Sequence, residues 1–242
     1  KELLRFWKVG LQSIIAPMIA TLIYLFIFSH VLEERAQAYP GVTYPVFLIP
    51  GLLMMAMLQN SFANSSSSLI QSKISGSIVF VLLSPLSYME VFVAYVLASI
   101  VRGFLVGAGI YLVILIFFDM PLQSLLWVFI FALIGNGFLG VLGVIAAIWA
   151  EKFDQLAAFQ NFVILPLTFL SGVFYTIHSL PPFWESISRF NPFFYVIDGF
   201  RYGFFGISDV SPYFSLMIVG IGFLAVSWVT LRMLKTGYKL RQ

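Results

Sequence analysis

The 242-residue sequence predicts an all-α integral membrane protein of six transmembrane helices, with both termini in the cytoplasm. Three observations carry that reading. Hydrophobic residues make up 61% of the chain and charged ones 10%, with mean hydropathy +1.00, where soluble domains carry roughly a quarter charged. So apolar a chain has too little charged surface to face water, which leaves lipid as its solvent. The apolar runs are continuous and reach about 20 residues, enough to cross a ~30 Å hydrocarbon core as helix, and they lack the strict alternation of a membrane barrel. Lysine and arginine, finally, fall unequally on the two sets of connections.

The chain opens at Lys1 rather than a methionine, so a short preceding piece is expected. Residues 1–9, KELLRFWKV, place Lys1, Arg5 and Lys8 at helical spacing beside Leu3, Leu4 and Trp7. They read either as an amphipathic helix in the headgroup plane or as a basic flank to the first span. Spans are predicted at about 11–31, 45–65, 88–118, 123–149, 155–177 and 213–234. The third is long enough to tilt or to project beyond the bilayer. Pro50-Gly51 and Pro166 are expected to kink the second and fifth.

Two connections before the fifth span differ in character. DMPL at 119–122 is a tight external turn, whereas SSSLIQSKISGSIVFVLLSPLS at 66–87 is long and moderately apolar. There Ile74, Ile78, Val81 and Leu82 share one helical face, with Lys73, Ser77 and Ser84 across from them. Pro85 stops this helix, and Ser87 with Glu90 fits a capping box opening the third span. An amphipathic piece of this kind is either a rest on the membrane surface or a plug for a soluble partner.

Basic residues orient the spans. Lys1, Arg5, Lys8, Lys73, Lys152, Arg232, Lys235, Lys239 and Arg241 make nine on one side, against Arg35, Arg189 and Arg201 on the other. The positive-inside rule places the larger set in the cytoplasm.

Residues 179–211 hold ten aromatics in 33 positions, among two arginines and two aspartates. Pro181, Pro182 and Pro192 divide the segment into apolar runs near 182–190 and 193–206. As helix each run is only ~15–20 Å long, too short to span. Backbone that leaves helical geometry at membrane depth persists only where protein or a water-filled cavity covers it. The segment is therefore expected to be a re-entrant helical hairpin capping a passage from outside. Asp198 and Arg201 are three apart and are expected to pair on one face, either steadying the hairpin or touching substrate.

Several patterns resemble chemistry without its context. Gly135-Asn-Gly137-Phe-Leu-Gly140 matches G-x-G-x-x-G but lies inside a span with no preceding strand, so nucleotide binding is rejected. Gly137, Gly140 and Gly143, like Gly103 and Gly107, are instead expected to admit a neighbouring helix closely. No G-x-x-x-x-G-K-[ST] run occurs, no cysteine is present, and His30 and His178 lie far apart, so neither a P-loop nor a metal site is read. Glu33 with Glu34, and Glu151 with Asp154, sit in loops and form no hydrolytic pair, so no catalytic residue is assigned. Polar residues within spans are better pointers, because an unpaired mid-bilayer charge costs ~2.5–3.5 kcal/mol even on insertion scales. Gln59, Asn60, Arg102, Gln160 and Asn161 are the candidates to line a pathway, with helix–helix hydrogen bonding the competing role.

The run ILPLTFLSGVFYTIHSLPPFWESISRFNPFFYVIDGFR, from Ile164 to Arg201, resembles the signature region of ABC-2-type permeases. The matching elements are Ser171-Gly172, Leu180-Pro181, Asn191-Pro192 and Arg201. PGLLMM at 50–55 and LLSPLS at 82–87 also look like family segments, so the likeness covers nearly the whole chain as one domain, 1–242. It is similar in particular to small bacterial permeases grouped with Nod-factor and polysaccharide exporters. It departs at the front, where the family's amphipathic helix is shortened.

The resemblance implies an exporter half: a homodimer of permeases in the bacterial inner membrane, with two separate ATPase subunits beneath it. Those partners would use ATP and Mg; this chain would carry no cofactor and hydrolyse nothing. It turns residues 71–85 into a coupling helix, with Gln71, Lys73, Ile74, Ile78, Val81, Leu82 and Pro85 as the contacts and the Glu151–Asp154 turn as a lesser one. It makes Ser171, Gly172, Pro181, Asn191, Pro192, Asp198 and Arg201 an exit lid. Lipid is a further partner and nucleic acid is not. A secondary carrier or channel would show mid-span carboxylates or inverted repeats, and neither is found. A lipid-modifying enzyme would need a polar cluster at one face, for which only His178, Glu185 and Asp198 offer themselves. Aromatic content, with 27 phenylalanines, suits sugars, lipids and amphipathic drugs alike.

Overall fold

The structure is a computed structural model that describes residues 10–32 and 39–240; the expected collar at 1–9 lies outside the described residues. Helix α1 spans Gly10–Leu32, α2 Tyr44–Ile74, α3 Ile78–Leu83, α4 Tyr88–Phe117 and α5 Leu125–Trp149. There follow α6 (Phe153–Phe159), a π-helical turn (Gln160–Ile164) and α7 (Leu165–Phe169). A 3-10 turn (Ile177–Ser179), α8 (Pro182–Arg189), α9 (Pro192–Phe205) and α10 (Pro212–Thr236) complete the chain. Among the described residues the only extended pairing is an isolated bridge between Tyr39 and Val42. Four helices, α2, α4, α5 and α10, are long and apolar enough to cross a membrane.

Local signals explain most boundaries. At the start of α4 the Glu90 N–H donates to Ser87 Oγ, and Glu90 Oε2 accepts from the Ser87 N–H at 2.7 Å, a complete capping box. Helix α2 runs about two turns beyond the expected end at residue 65. Its serine-rich stretch does not break it: Ser65 gives its hydroxyl to the Gly140 carbonyl of α5, and Ser72 turns its own back onto the Ser68 carbonyl within the helix. It stops where Gly76 adopts φ +70°. The expected helix over 71–85 is therefore two pieces: Gln71, Lys73 and Ile74 form the last turn of α2, and α3 begins afresh at Ile78.

The fifth expected span, 155–177, is also revised. Helical structure runs from Phe153 to Phe169, about 25 Å at ~1.5 Å per residue, and then ends. Pro166 has no N–H to offer the carbonyl four residues back, and the π turn ends two residues before it. After α7 the chain turns at Gly172, whose φ is +76°, instead of continuing to residue 177.

Helix α2 forms the centre, packing most extensively on α5 and then on α4. The approach is close enough that a Cβ on Gly103 would overlap Asn136 and Ser61. A buried polar seam joins the three helices: Ser61 Oγ lies 2.6 Å from Asn136 Oδ1 and 2.9 Å from the Ser99 carbonyl, and Ser65 Oγ donates to the Gly140 carbonyl at 2.7 Å. Small residues and interhelical hydroxyl bonds of this kind are how helices associate where lipid supplies no hydrophobic drive.

Candidate functional site

At one end of the bundle, α2, α5 and α10 finish together. Lys73 Nζ donates to the carbonyls of Ala147 (3.1 Å), Ile148 (2.8 Å) and Ala150 (2.6 Å). It thereby satisfies the orphan carbonyls at the C-terminus of α5, where the helix dipole favours a cation. Lys239, just past α10, reaches the Trp149 carbonyl and the Glu151 carboxylate, 3.2 Å away. Helix α3 hangs from this braced end, between the Ser75–Ser77 turn and Ser84.

On α3 one expected contact, Ile78, faces inward, and residues outside the expected set face outward. Ile78 is buried against the core, whereas Val79, Phe80 and Leu83 are exposed, Phe80 at 77% and Leu83 at 78%. Ile74, Gln71 and Pro85 are exposed beside them. The side chains of Val81 and Leu82 lie outside the description. Lys73, another of the expected contacts, points into the α5 terminus.

At the opposite end, the family-motif residues converge on the turn after α7. Arg201 on α9 is 1% exposed; its Nη2 donates to the Gly172 carbonyl at 2.7 Å, and its guanidinium sits 4.0 Å from the centre of the Phe47 ring. Asp198, fully buried one turn earlier, does not pair with Arg201 as its spacing suggests. Its carboxylate accepts from the backbone N–H groups of Asp209 (2.8 Å) and Val210 (3.0 Å), fixing the chain that leaves α9. Asp209 in turn accepts from Tyr39 (3.0 Å) and from the Ile177 N–H (2.7 Å). Burial pushes the Tyr39 phenol up, with the Arg201 charge opposing, so the phenol stays a donor. Tyr44 donates to the Phe174 carbonyl at 2.9 Å.

Ser171 and Asn191 join the same clamp. Ser171 Oγ donates to the Thr168 carbonyl. Asn191 caps α9 by accepting from the Phe193 N–H at 3.0 Å, while its Nδ2 donates to the Leu167 carbonyl at 2.6 Å. Pro192 occupies the first turn of α9 and Pro181 precedes α8, positions that suit a residue without an N–H. The two arms differ: α9 is buried nearly throughout, whereas α8 exposes Phe183 and Trp184, with Phe190 exposed just after it, and carries an exposed Glu185–Arg189 ion pair of 2.7 Å. Tyr39, Phe47, Tyr44 and Asp209 are clamp members that sequence spacing did not reveal.

The pathway candidates do not share one surface. Arg102 lies 3.4 Å from the Oδ1 atoms of both Asn60 and Asn64, a contact between α4 and α2. Gln59 faces a small cleft beside Pro17, Thr21 and Tyr24 of α1. Gln160 and Asn161 sit in the π turn, the first half-buried and the second exposed.

Apolar helices of membrane-crossing length, a polar packing seam and two separately built ends define a multi-pass helical membrane protein. Within that class the chain belongs to the ABC-2 type transporter family, whose profile matches residues 1–205. The inner membrane transport permease YadH of Escherichia coli K12 is 34% identical over 233 residues, which cover 94% of this chain and 90% of that protein. Nodulation protein J of Rhizobium meliloti strain 1021 is 26% identical over 196 residues, 80% of this chain and 74% of that one. The protein is a transport permease of this family.

Proposed function

We propose that the chain is the membrane subunit of an ATP-driven exporter, energised by a separate ATPase that docks on α3. The carrying observation is the exposed apolar face of Val79, Phe80 and Leu83, held out from an end braced by Lys73 and Lys239. An apolar patch rimmed by polar groups marks an interaction surface, and family membership supplies the kind of partner. The ATPase would bind ATP and Mg, and its closure would displace α3 against the ends of α2 and α5.

In this reading α1, α2, α4, α5, the α6–α7 unit and α10 are six spans, with both termini cytoplasmic. The positive-inside count supports that orientation, and the name of the Escherichia coli relative supports the inner membrane. Helices α8 and α9 form an external re-entrant lid whose hinge is the Arg201–Gly172 clamp. Two copies of the permease and two of the ATPase make the working assembly.

The test is a mild-detergent pull-down of the tagged chain from its native membrane, followed by mass spectrometry and an ATP hydrolysis assay. A P-loop ATPase in about one-to-one ratio, with activity in the eluate, is the expected result. A chain that emerges alone from several detergents would overturn the reading in favour of a secondary carrier.

A further inference from the structure

We infer that the Lys73-side end of α10 carries a binding site for an anionic phospholipid, with the headgroup phosphate held between Arg232 and Lys235. The two cations are exposed and lie one turn apart. They continue the exposed apolar stripe of Met217, Ile221, Leu224 and Trp228, so a chain lying along that stripe arrives at them headgroup first.

Each cation rests on an aromatic ring. The Arg232 guanidinium lies 4.3 Å from the centre of the Trp228 ring, and Lys235 Nζ lies 5.9 Å from that of Tyr88 at the start of α4. The rings hold the two groups in place without neutralising them. Among the described residues neither has a carboxylate within ion-pair distance: Glu151 is taken by Lys239, and Glu90 by the Ser87 capping box. A cleft of about 120 Å³ opens alongside, lined by Leu86, Tyr88, Val91 and Leu234 among others. Two unneutralised donors above an apolar stripe and cleft complement a phosphodiester on a diacylglycerol, and a zwitterionic headgroup less well. This site does not depend on the ATPase reading.

Trp228 provides the test. The whole chain is placed in phosphatidylcholine nanodiscs containing a small fraction of acyl-brominated phosphatidylglycerol or acyl-brominated phosphatidylcholine, and tryptophan quenching is compared within each protein. The expected result is an enrichment of phosphatidylglycerol of roughly fivefold or more at Trp228, abolished by Trp228→Phe and by Arg232→Gln with Lys235→Gln. Lys235→Gln alone, the milder change, should lower the ratio if the double variant does not fold. Equal quenching by the two lipids in the unmodified chain would reduce the cations to ordinary interfacial flanks and overturn the site. A preference that survives in a folded double or single variant would overturn it equally. Competition by inorganic phosphate as effective as by the lipid would show a free-anion site instead.

Discussion

Lys73 Nζ stands 2.6 Å from the Ala150 carbonyl oxygen, so a cation at the end of α2 caps the end of α5, seventy-seven positions away in sequence. Charge reversal at this lysine is therefore a test of the bundle end before it is a test of docking. Lys73→Met keeps the apolar stem but leaves three carbonyls short of a donor, at a cost of about 1.5–3 kcal/mol. In detergent its melting midpoint should fall, protease should nick the 150–154 turn sooner, and Lys73→Arg should recover most of the loss. A Met variant that melts with the unmodified protein would remove the cap from the account of stability.

Phe80 and Ile78 lie two positions apart and face opposite ways. Phe80→Asp places a charge on an exposed face and should abolish ATPase copurification while changing stability by no more than about 0.5 kcal/mol. Ile78→Asp buries an unpaired carboxylate and should lower expression and stability by several kcal/mol, taking the partner away only indirectly. Copurification undiminished in Phe80→Asp, measured beside intact folding, would move the docking surface off α3.

Much of the frame was legible because its signals are local. Ser87 and Glu90 announce the start of α4 within four residues, and the apolar run at 123–149 lies within two residues of α5 at each end. What was misread depends on distant partners. The serine stretch after residue 61 looks like a terminus, yet Ser61 and Ser65 give their hydroxyls to Asn136 and Gly140 of α5, and α2 stays helical to Ile74. Pro166 forecast a kink, but the exit of the chain at Leu170 is fixed by Arg201 and Asn191 reaching back from α9. The spacing of Asp198 and Arg201 suggested a pair; each instead finds backbone partners on other segments, which no periodicity encodes. Tyr39 meets Asp209 across 170 positions and Tyr44 meets Phe174 across 130, contacts that exist only once the bundle is formed.

The close approach of α2 and α5 predicts a contrast between two helical glycines. A Cβ on Gly143 would lie 2.6 Å from the Phe62 carbonyl and 3.2 Å from the Ser66 nitrogen, backbone atoms that cannot rotate aside. Gly143→Ala should cost about 1–3 kcal/mol through forced separation of the helices. Gly220 on α10 meets nothing within 4 Å, so Gly220→Ala should stabilise by roughly 0.5–1 kcal/mol. Melting midpoints measured side by side decide the matter, and a tolerated Gly143→Ala would contradict the packing described.

Arg201 and Gly172 should act as a unit. Arg201→Met relieves the burial of a charge but strips the Gly172 carbonyl of its donor and the Phe47 ring of its cation, a net loss of about 2–4 kcal/mol. Gly172→Ala meets no hard contact, its nearest neighbour being Phe194 at 3.4 Å, and strains mainly the φ of +76°, at about 1–2 kcal/mol. If Arg201 holds the turn in that geometry, losing the guanidinium lets the turn relax. Alanine at 172 then adds little, so the double variant falls short of the sum by about 0.5–2 kcal/mol. Lysine at 201 keeps the charge without the planar fork and should rescue only part of the loss. Strict additivity in a denaturant-melt cycle would mean that the turn after α7 is set locally, and the clamp would no longer explain why the helix ends at Phe169.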